Sequence, residues 1–230
     1  MLEKVNRLGQ WLSRFPYENL TKRRTMHPRD PDRLLRDKDD LGAGGTCFSL
    51  VNLASNQARE LGLDPNYYLG DRPDGENRHC VIGFPEIGVF LDPGYLCFSP
   101  LPIHPDETVR LRRSHNTLVL DPEPDRRLKV HTERQGQQTW RYTLKGYPID
   151  RDQFEKAWKD SFEWGSVMES EVMTRLTEDG MLLYLNGNLE KITQESRRSL
   201  ELPQAERIDR LSEAFGVNPE LLEDLTITND

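Results

Sequence analysis

Apolar positions near the start of the chain, Val5, Leu8, Trp11 and Leu12, recur at intervals of three and four. That spacing predicts an amphipathic helix over Leu2–Arg14 with one buried face. Pro16 ends it, because the residue before a proline is pushed out of the helical region. Residues 21–32 are polar and proline-containing and read as a loop, with a short helical turn over Pro31–Arg36. Helical spacing returns from Cys47 to Leu61, where Leu50, Leu53, Ala54, Ala58 and Leu61 share a face, and Gly62 and Pro65 stop it. From Asn66 the period shortens towards two. A strand is expected over Asn66–Leu69, a turn over Asp71–Asn77, and a hairpin whose arms, Arg78–Phe84 and Val89–Tyr95, flank Pro85-Glu86-Ile87-Gly88. Proline interrupts Ser99–Pro105. Further strands are expected over Thr108–Val119 and Leu128–Leu144, with polar loops at 121–127 and 134–138, so the middle of the chain reads as an antiparallel sheet or small barrel. A helix follows over Ile149–Trp164, with Asp150 as its N-cap. Then come a hairpin of Val167–Leu176 and Met181–Asn186 around Glu178-Asp179-Gly180, an amphipathic helix over Ala205–Phe215 and a short helix from Pro219. The pattern predicts an α+β chain in three parts: helical residues 1–70, an antiparallel β-barrel or sheet at 71–148, and an α/β lid at 149–230.

Charge and cysteine content narrow the function classes. The net charge is −8 with acids and bases interspersed, so the sequence carries no electrostatic footprint for nucleic acid and no polybasic membrane segment. No apolar run reaches transmembrane length, and the first residues lack the apolar core of a signal peptide. The three cysteines, Cys47, Cys80 and Cys97, are odd in number and form no CxxC or Cys/His cluster with metal spacing. A cytoplasmic chain with free thiols, no metal, no nucleic-acid partner and no membrane partner is expected; the pattern leaves the oligomeric state open.

The chemistry gathers at Gly42-Ala43-Gly44-Gly45-Thr46-Cys47. Three glycines in four positions mark a loop in which the backbone turns or approaches something closely. Cys47 then falls at the start of a helix, where unpaired N–H groups and the helix dipole favour a negative charge and lower a thiol pKa. A reactive cysteine needs a base and the base an orienting partner. His79 and Asp92 lie on the two arms of the expected hairpin. With the turn centred between Pro85 and Glu86 they face each other directly across the strands, Asp92 accepting from Nδ1 of His79 and leaving Nε2 for Cys47. The structural alternatives are a small buried cysteine, a sheet histidine and a turn aspartate followed by Pro93-Gly94.

In order and spacing these residues resemble the arylamine N-acetyltransferases. Pro16-Tyr17-Glu18-Asn19-Leu20, Ala43-Gly44-Gly45-Thr46-Cys47-Phe48-Ser49, His79 and Leu91-Asp92-Pro93-Gly94-Tyr95 are similar to that family's successive motifs. Gln153–Trp158, Glu171–Asn188 and Arg207–Gly216 are similar to its later elements, so the resemblance runs over most of the chain. It implies a ping-pong acyl transfer from acetyl-CoA to an arylamine-like small molecule, with Cys47 as nucleophile, His79 as base and Asp92 as its partner. Tyr17, Phe48, Gly94 and Tyr95 would lie at the substrate. The chain departs from the family at Ala43 and Ser49, where members carry an Arg and a Glu that buttress the active-site loop, and at Tyr17, where a Phe is usual. The same triad order also serves transglutaminase-like and papain-like enzymes and amide synthases, and the departures leave room for a relative without catalysis.

Overall fold

A computed structural model of the protein describes residues 1–223 and 225. Helix α1 (Leu2–Leu12) buries Val5, Leu8 and Leu12, the face its spacing predicts. The segment read as a polar loop contains instead a short helix, α2 (Leu20–Thr25), and the expected turn after it extends to an eleven-residue helix, α3 (Pro31–Leu41). Asp30 accepts from the Arg33 N–H and Pro31 takes the first turn, so α3 starts on a standard N-cap. Helix α4 (Cys47–Glu60) is more deeply placed than its single apolar stripe suggests, with every residue from Cys47 to Ser55 buried. One flank (Val51, Ala54, Ala58) packs with Val5, Leu8 and Leu12 of α1 and with the sheet, and the other (Leu50, Leu53) packs with Phe15 and Leu34.

The sheet strands are β2 (Asn66–Arg72), β3 (Gly75–Phe84), β4 (Val89–Asp92), β5 (Cys97–Pro102), β6 (Val109–Arg112), β7 (Thr117–Pro122), β8 (Leu128–Arg134) and β9 (Gln137–Leu144). They form one antiparallel sheet in the order β5-β4-β3-β2-β9-β8-β7-β6. Two strand expectations need correction. The run expected as a single strand over Thr108–Val119 is a hairpin, turned where Arg113 N–H donates to the Asn116 carbonyl at 2.8 Å. The proline-interrupted stretch is a strand, β5; it tolerates Pro100 and Pro102 because it is the sheet's edge.

Helix α5 (Arg151–Asp160) opens on a reciprocal cap between Asp150 and Gln153, as the sequence indicates, but ends at Asp160 rather than Trp164. Residues Gly165–Met168 form a short helix, α6, so the following strand β10 (Val172–Thr177) starts later than expected. It joins β1 (Tyr17–Glu18), β11 (Gly180–Leu185), β12 (Asn188–Ile192) and β13 (Arg197–Leu200) in a second antiparallel sheet in the order β1-β10-β11-β12-β13, of which the last two strands were not anticipated. Helices α7 (Arg207–Phe215) and α8 (Pro219–Leu222) pack their apolar side chains with Leu20, Ala43, Met173 and Tyr184. No described helix is long and apolar enough to cross a membrane.

Residues 16–20 tie these parts together. The Pro16 carbonyl accepts from Gly45 N–H at 3.3 Å, and Tyr17 pairs with Thr174 of β10. The buried Asn19 amide donates to the carbonyls of Val167 and Ser170 at 2.6 and 2.7 Å and accepts from Val172 N–H at 2.9 Å. The segment before the cysteine loop is thereby fixed to the start of the second sheet.

Candidate active site

Gly44 explains the glycine loop. A Cβ there would stand 1.9 Å from the Pro16 carbonyl oxygen, so only glycine lets the loop lie against residues 16–18. The loop delivers Thr46 to the N-cap and Cys47 to the first turn of α4. The first intrahelical bond of α4 runs from Leu50 N–H to the Thr46 carbonyl, so the N–H groups of Cys47, Phe48 and Ser49 have no acceptor inside the helix. Cys47 is 7% exposed.

His79 on β3 and Asp92 at the end of β4 meet beside it. The His79 Nε2 lies 3.0 Å from Asp92 Oδ1, and both residues are almost fully buried. The route to this contact differs from the expected cross-strand pair. Strands β3 and β4 align Ile82 with Leu91, Gly83 with Phe90 and Phe84 with Val89, a register that carries the strict partner of His79 two residues beyond Asp92. A two-residue offset preserves the side-chain face, so His79 and Asp92 remain diagonal neighbours on the same side of the sheet. The ring nitrogens are also exchanged relative to the expectation: the carboxylate comes from the strand end and meets Nε2, so Nδ1 is the ring nitrogen that Asp92 leaves unengaged.

Asp92 accepts three bonds. Besides His79, Tyr95 N–H donates to Oδ1 at 3.1 Å and the Tyr142 hydroxyl donates to Oδ2 at 2.6 Å. Tyr142 also lies against the His79 ring, with centroids 4.3 Å apart. It stands on β9, fifty residues from its partner, with no local signal in the sequence to mark it.

The electrostatics favour a thiolate–imidazolium pair. A hydrogen bond from the Cys80 thiol, together with the hydrogen bond and charge of His79 and the charge of Lys22, holds the Cys47 thiol well below its usual range, against the opposing effect of burial. Burial pushes the Cys80 thiol well above its usual range, and the neighbouring Cys47 adds to it, so Cys80 stays protonated and can donate. Burial alone would depress His79, but the Asp92 carboxylate and the Cys47 sulfur outweigh it and raise its pKa to about 9. The sequence pattern places Lys22 in a polar loop. It is 3% exposed, its ammonium donating to the Ser161 carbonyl and hydroxyl at 2.8 and 2.6 Å, and burial pushes it down to about 8.

His79 lines a cavity of about 500 Å³ between the two sheets, with Cys47 and Asp92 behind its wall. Tyr17, Gly94 and Tyr95 also line it. Phe48 does not: its side chain is buried against Phe154 and Trp164, with centroids 5.6 and 5.9 Å away, because its place in the first turn of α4 turns it into the core. Gly94 has a second role. A Cβ at this position would lie 2.7 Å from His79 Cε1 and 2.8 Å from Cys47 Cβ. Gly94→Ala should therefore force the two apart, costing about 1–3 kcal/mol of stability and lowering any Cys47-dependent rate by roughly 10²-fold. Melting curves and Cys47 alkylation rates on the same sample check both numbers.

The departures at 43 and 49 have a structural counterpart. Ala43 is fully buried among Leu20, Met173, Tyr184 and Phe215. The cation reaches the loop from elsewhere. The buried Arg29 donates to Asp37 Oδ2 at 2.6 Å and to the Gly44 carbonyl at 2.7 Å, and its Nη2 stands 3.8 Å from Glu18 Oε1. Ser49 and this guanidinium border the same space above Gly45, where a Cβ would meet them at 2.7 and 3.0 Å. Among the described residues, no group of three or more His, Cys, Asp or Glu side chains has an arrangement that could hold a metal ion.

No protein-family model matches this sequence, and no curated protein matches it. Solved structures do match. The Mycobacterium marinum arylamine N-acetyltransferase in complex with CoA superposes with a TM-score of 0.79 at 18% identity, over 97% of this chain and 91% of its own. The enzyme from M. tuberculosis gives 0.77 at 20% identity, over 95% of this chain and 88% of its own. The Bacillus cereus enzyme, whose triad is Cys-His-Glu, gives 0.74 at 15% identity, over 95% and 92%. At these identities the likeness is one of fold.

Proposed function

We propose that this chain, which has the arylamine N-acetyltransferase fold, transfers an acetyl group from acetyl-CoA to a small arylamine-type amine through an acyl-Cys47 intermediate. The observation that carries the reading is the convergence of Cys47, His79 and Asp92 at a helix N-terminus, with His79 on the wall of a cavity large enough for a small molecule. A relative of the same fold holds CoA, which supports a CoA thioester as donor.

In the first half-reaction the Cys47 thiolate attacks the thioester carbonyl, its Sγ–C bond forming as the C–S bond to CoA breaks. His79 gives its proton to the departing CoA sulfur. The unpaired N–H groups at the start of α4 are the available donors for the oxyanion. In the second half-reaction the amine attacks the acyl carbon, the Cys47 C–S bond breaks, and the proton lost by the amine passes to His79. Asp92, itself clamped by Tyr142 and Tyr95, keeps the imidazole oriented and offsets its charge.

Iodoacetamide labelling across pH, with site mapping, tests the activated pair. Cys47 should label fast well below pH 8, and His79→Ala should remove that reactivity. Cys97, which burial pushes up to about 12, should stay inert over the same range. If Cys47 labels no faster than Cys97, the chain keeps the fold without the chemistry.

A further inference from the structure

The cavity that His79 lines also holds a group of arginines that the triad does not use. Arg72, Arg113, Arg141 and Arg197 all line it, in a chain whose net charge is −8. Their partners distinguish them. Arg197 is neutralised by Glu190, which accepts from its Nε and Nη2 at 2.9 and 2.6 Å. Arg72 has only a half-exposed contact with Asp74 at 3.3 Å, and its charge acts on Cys47, Tyr17 and Tyr95, the triad end of the cavity. Arg113 donates to Asn116 Oδ1, the Tyr95 carbonyl and the Cys97 sulfur. Arg141 donates to the Thr132 hydroxyl at 2.6 Å. Neither Arg113 nor Arg141 forms an ion pair with a carboxylate among the described residues. Burial and the charges of Arg72, Arg113 and Arg197 act to lower the Arg141 pKa against an opposing effect of Tyr95, and on this wall Arg113 and Arg141 are the guanidinium groups that no carboxylate of the described residues offsets. His115 adds a polar group to the same wall: it is 3% exposed and its buried Nδ1 has no hydrogen-bond partner.

Resting on the acyl-transfer reading above, we infer that the substrate of this cavity carries a carboxylate, on the acceptor amine or on the acyl group, and that Arg141 holds it, with the positive charge of Arg113 beside it and Arg72 nearer the sulfur. Guanidinium groups suit a carboxylate because their fork matches its two oxygens. Placing like charges side by side without a counter-ion is costly, and an anionic ligand supplies what the chain itself does not. The aliphatic positions facing them, Val172, Met181 and Leu183, would cover the uncharged body of the ligand.

The test is equilibrium binding to the intact protein by calorimetry, which needs no turnover. One arm compares para-aminobenzoate with its neutral amide; the other compares succinyl and acetyl thioesters of N-acetylcysteamine, donors that lack the phosphates of CoA, on the Cys47→Ser variant. In one arm the carboxylate-bearing ligand should bind about tenfold to a hundredfold more tightly. The arm that shows this identifies the carrier. Arg141→Gln should remove the preference and Arg141→Lys should keep part of it; Arg113→Gln provides an independent check if the first variant folds poorly. The inference is overturned if neither arm shows a preference in the unaltered cavity, or if the preference survives both glutamine variants. A preference for CoA over phosphate-free thioesters that alone responds to Arg141→Gln would assign the arginines to the nucleotide phosphates and also overturn it. Acylation of Cys47 by the acetyl thioester, followed by intact mass on the unaltered chain, reads the acyl-transfer reading separately: it fails if no thioester acylates Cys47, whatever the binding shows.

Discussion

Asp92→Asn should lower acyl transfer by about 10³–10⁴-fold, the scale seen when the orienting carboxylate of an acid–base triad is removed. The fold should survive, because the amide oxygen of the variant can still accept from Tyr142 or from the Tyr95 N–H. The chemistry should not. Burial opposes a charged His79, and Asp92 heads the groups that overcome it to bring its pKa to about 9. Without the carboxylate the imidazole falls towards or below its ordinary value and is neutral at pH 7. Cys47 then loses the imidazolium that helps hold its thiolate, and its pKa rises. Alkylation of Cys47 at neutral pH should slow, and its pH midpoint should move up. The sign of the accompanying stability change follows from linkage. A folded-state pKa above the ordinary 6.5 means that His79 contributes stability below about pH 6.5 that is lost as pH rises through about 9. The variant should lack that loss, so its stability-versus-pH curve should be flatter between those limits, as urea midpoints at several pH values would report.

Arg29→Ala should cost about 3–5 kcal/mol, the range for removing one partner of a buried ion pair. At this chain length that corresponds to roughly 6–20 °C in melting temperature. The guanidinium is 2% exposed and contacts Asp37, Glu18 and the Gly44 carbonyl at once. Asp37 keeps its bond from Arg33, and Glu18 keeps those from Thr21, which places the expected loss at the lower end. The loop carbonyl next to the cysteine turn keeps no such donor, so Cys47 reactivity should fall even below the melting transition. A variant that melts as the parent does would show that the cation is dispensable and that the cysteine loop holds by backbone contacts alone.

These two side chains differ in how far the sequence exposes them. The Cys47 helix start was legible because a glycine loop and a clean apolar period coincide within a few residues. The His79–Asp92 pair was legible for a subtler reason. The expected register was off by two, but an even offset leaves both side chains on one face, so the wrong alignment still indicated the right neighbours. An odd offset would have sent one of them to the other side of the sheet. The ring orientation was not legible, since it depends on which end of the imidazole the strand end reaches.

Arg29, Lys22 and Tyr142 were hidden for a shared reason: their partners are distant in sequence, or their local context suggests solvent. Arg29 and Lys22 lie in a polar, proline-containing stretch, and only the packing of Asp37 and Ser161 against it shows that it is buried. The arginines of the cavity come from β2, β9, β13 and the turn after β6, so no spacing in the sequence announces them. The later sheet was half legible: Gly180 marks the first hairpin, but β13 is exposed throughout and lacks the alternation that would reveal it.

The most direct test of the account is the mass of the intact chain after brief incubation with acetyl-CoA and no amine, followed by peptide mapping. The account predicts one added acetyl group, located on Cys47, absent from Cys47→Ser, strongly reduced in His79→Ala and discharged when an arylamine is added. An unmodified chain, or acetyl groups scattered over surface lysines with Cys47 free, would contradict it.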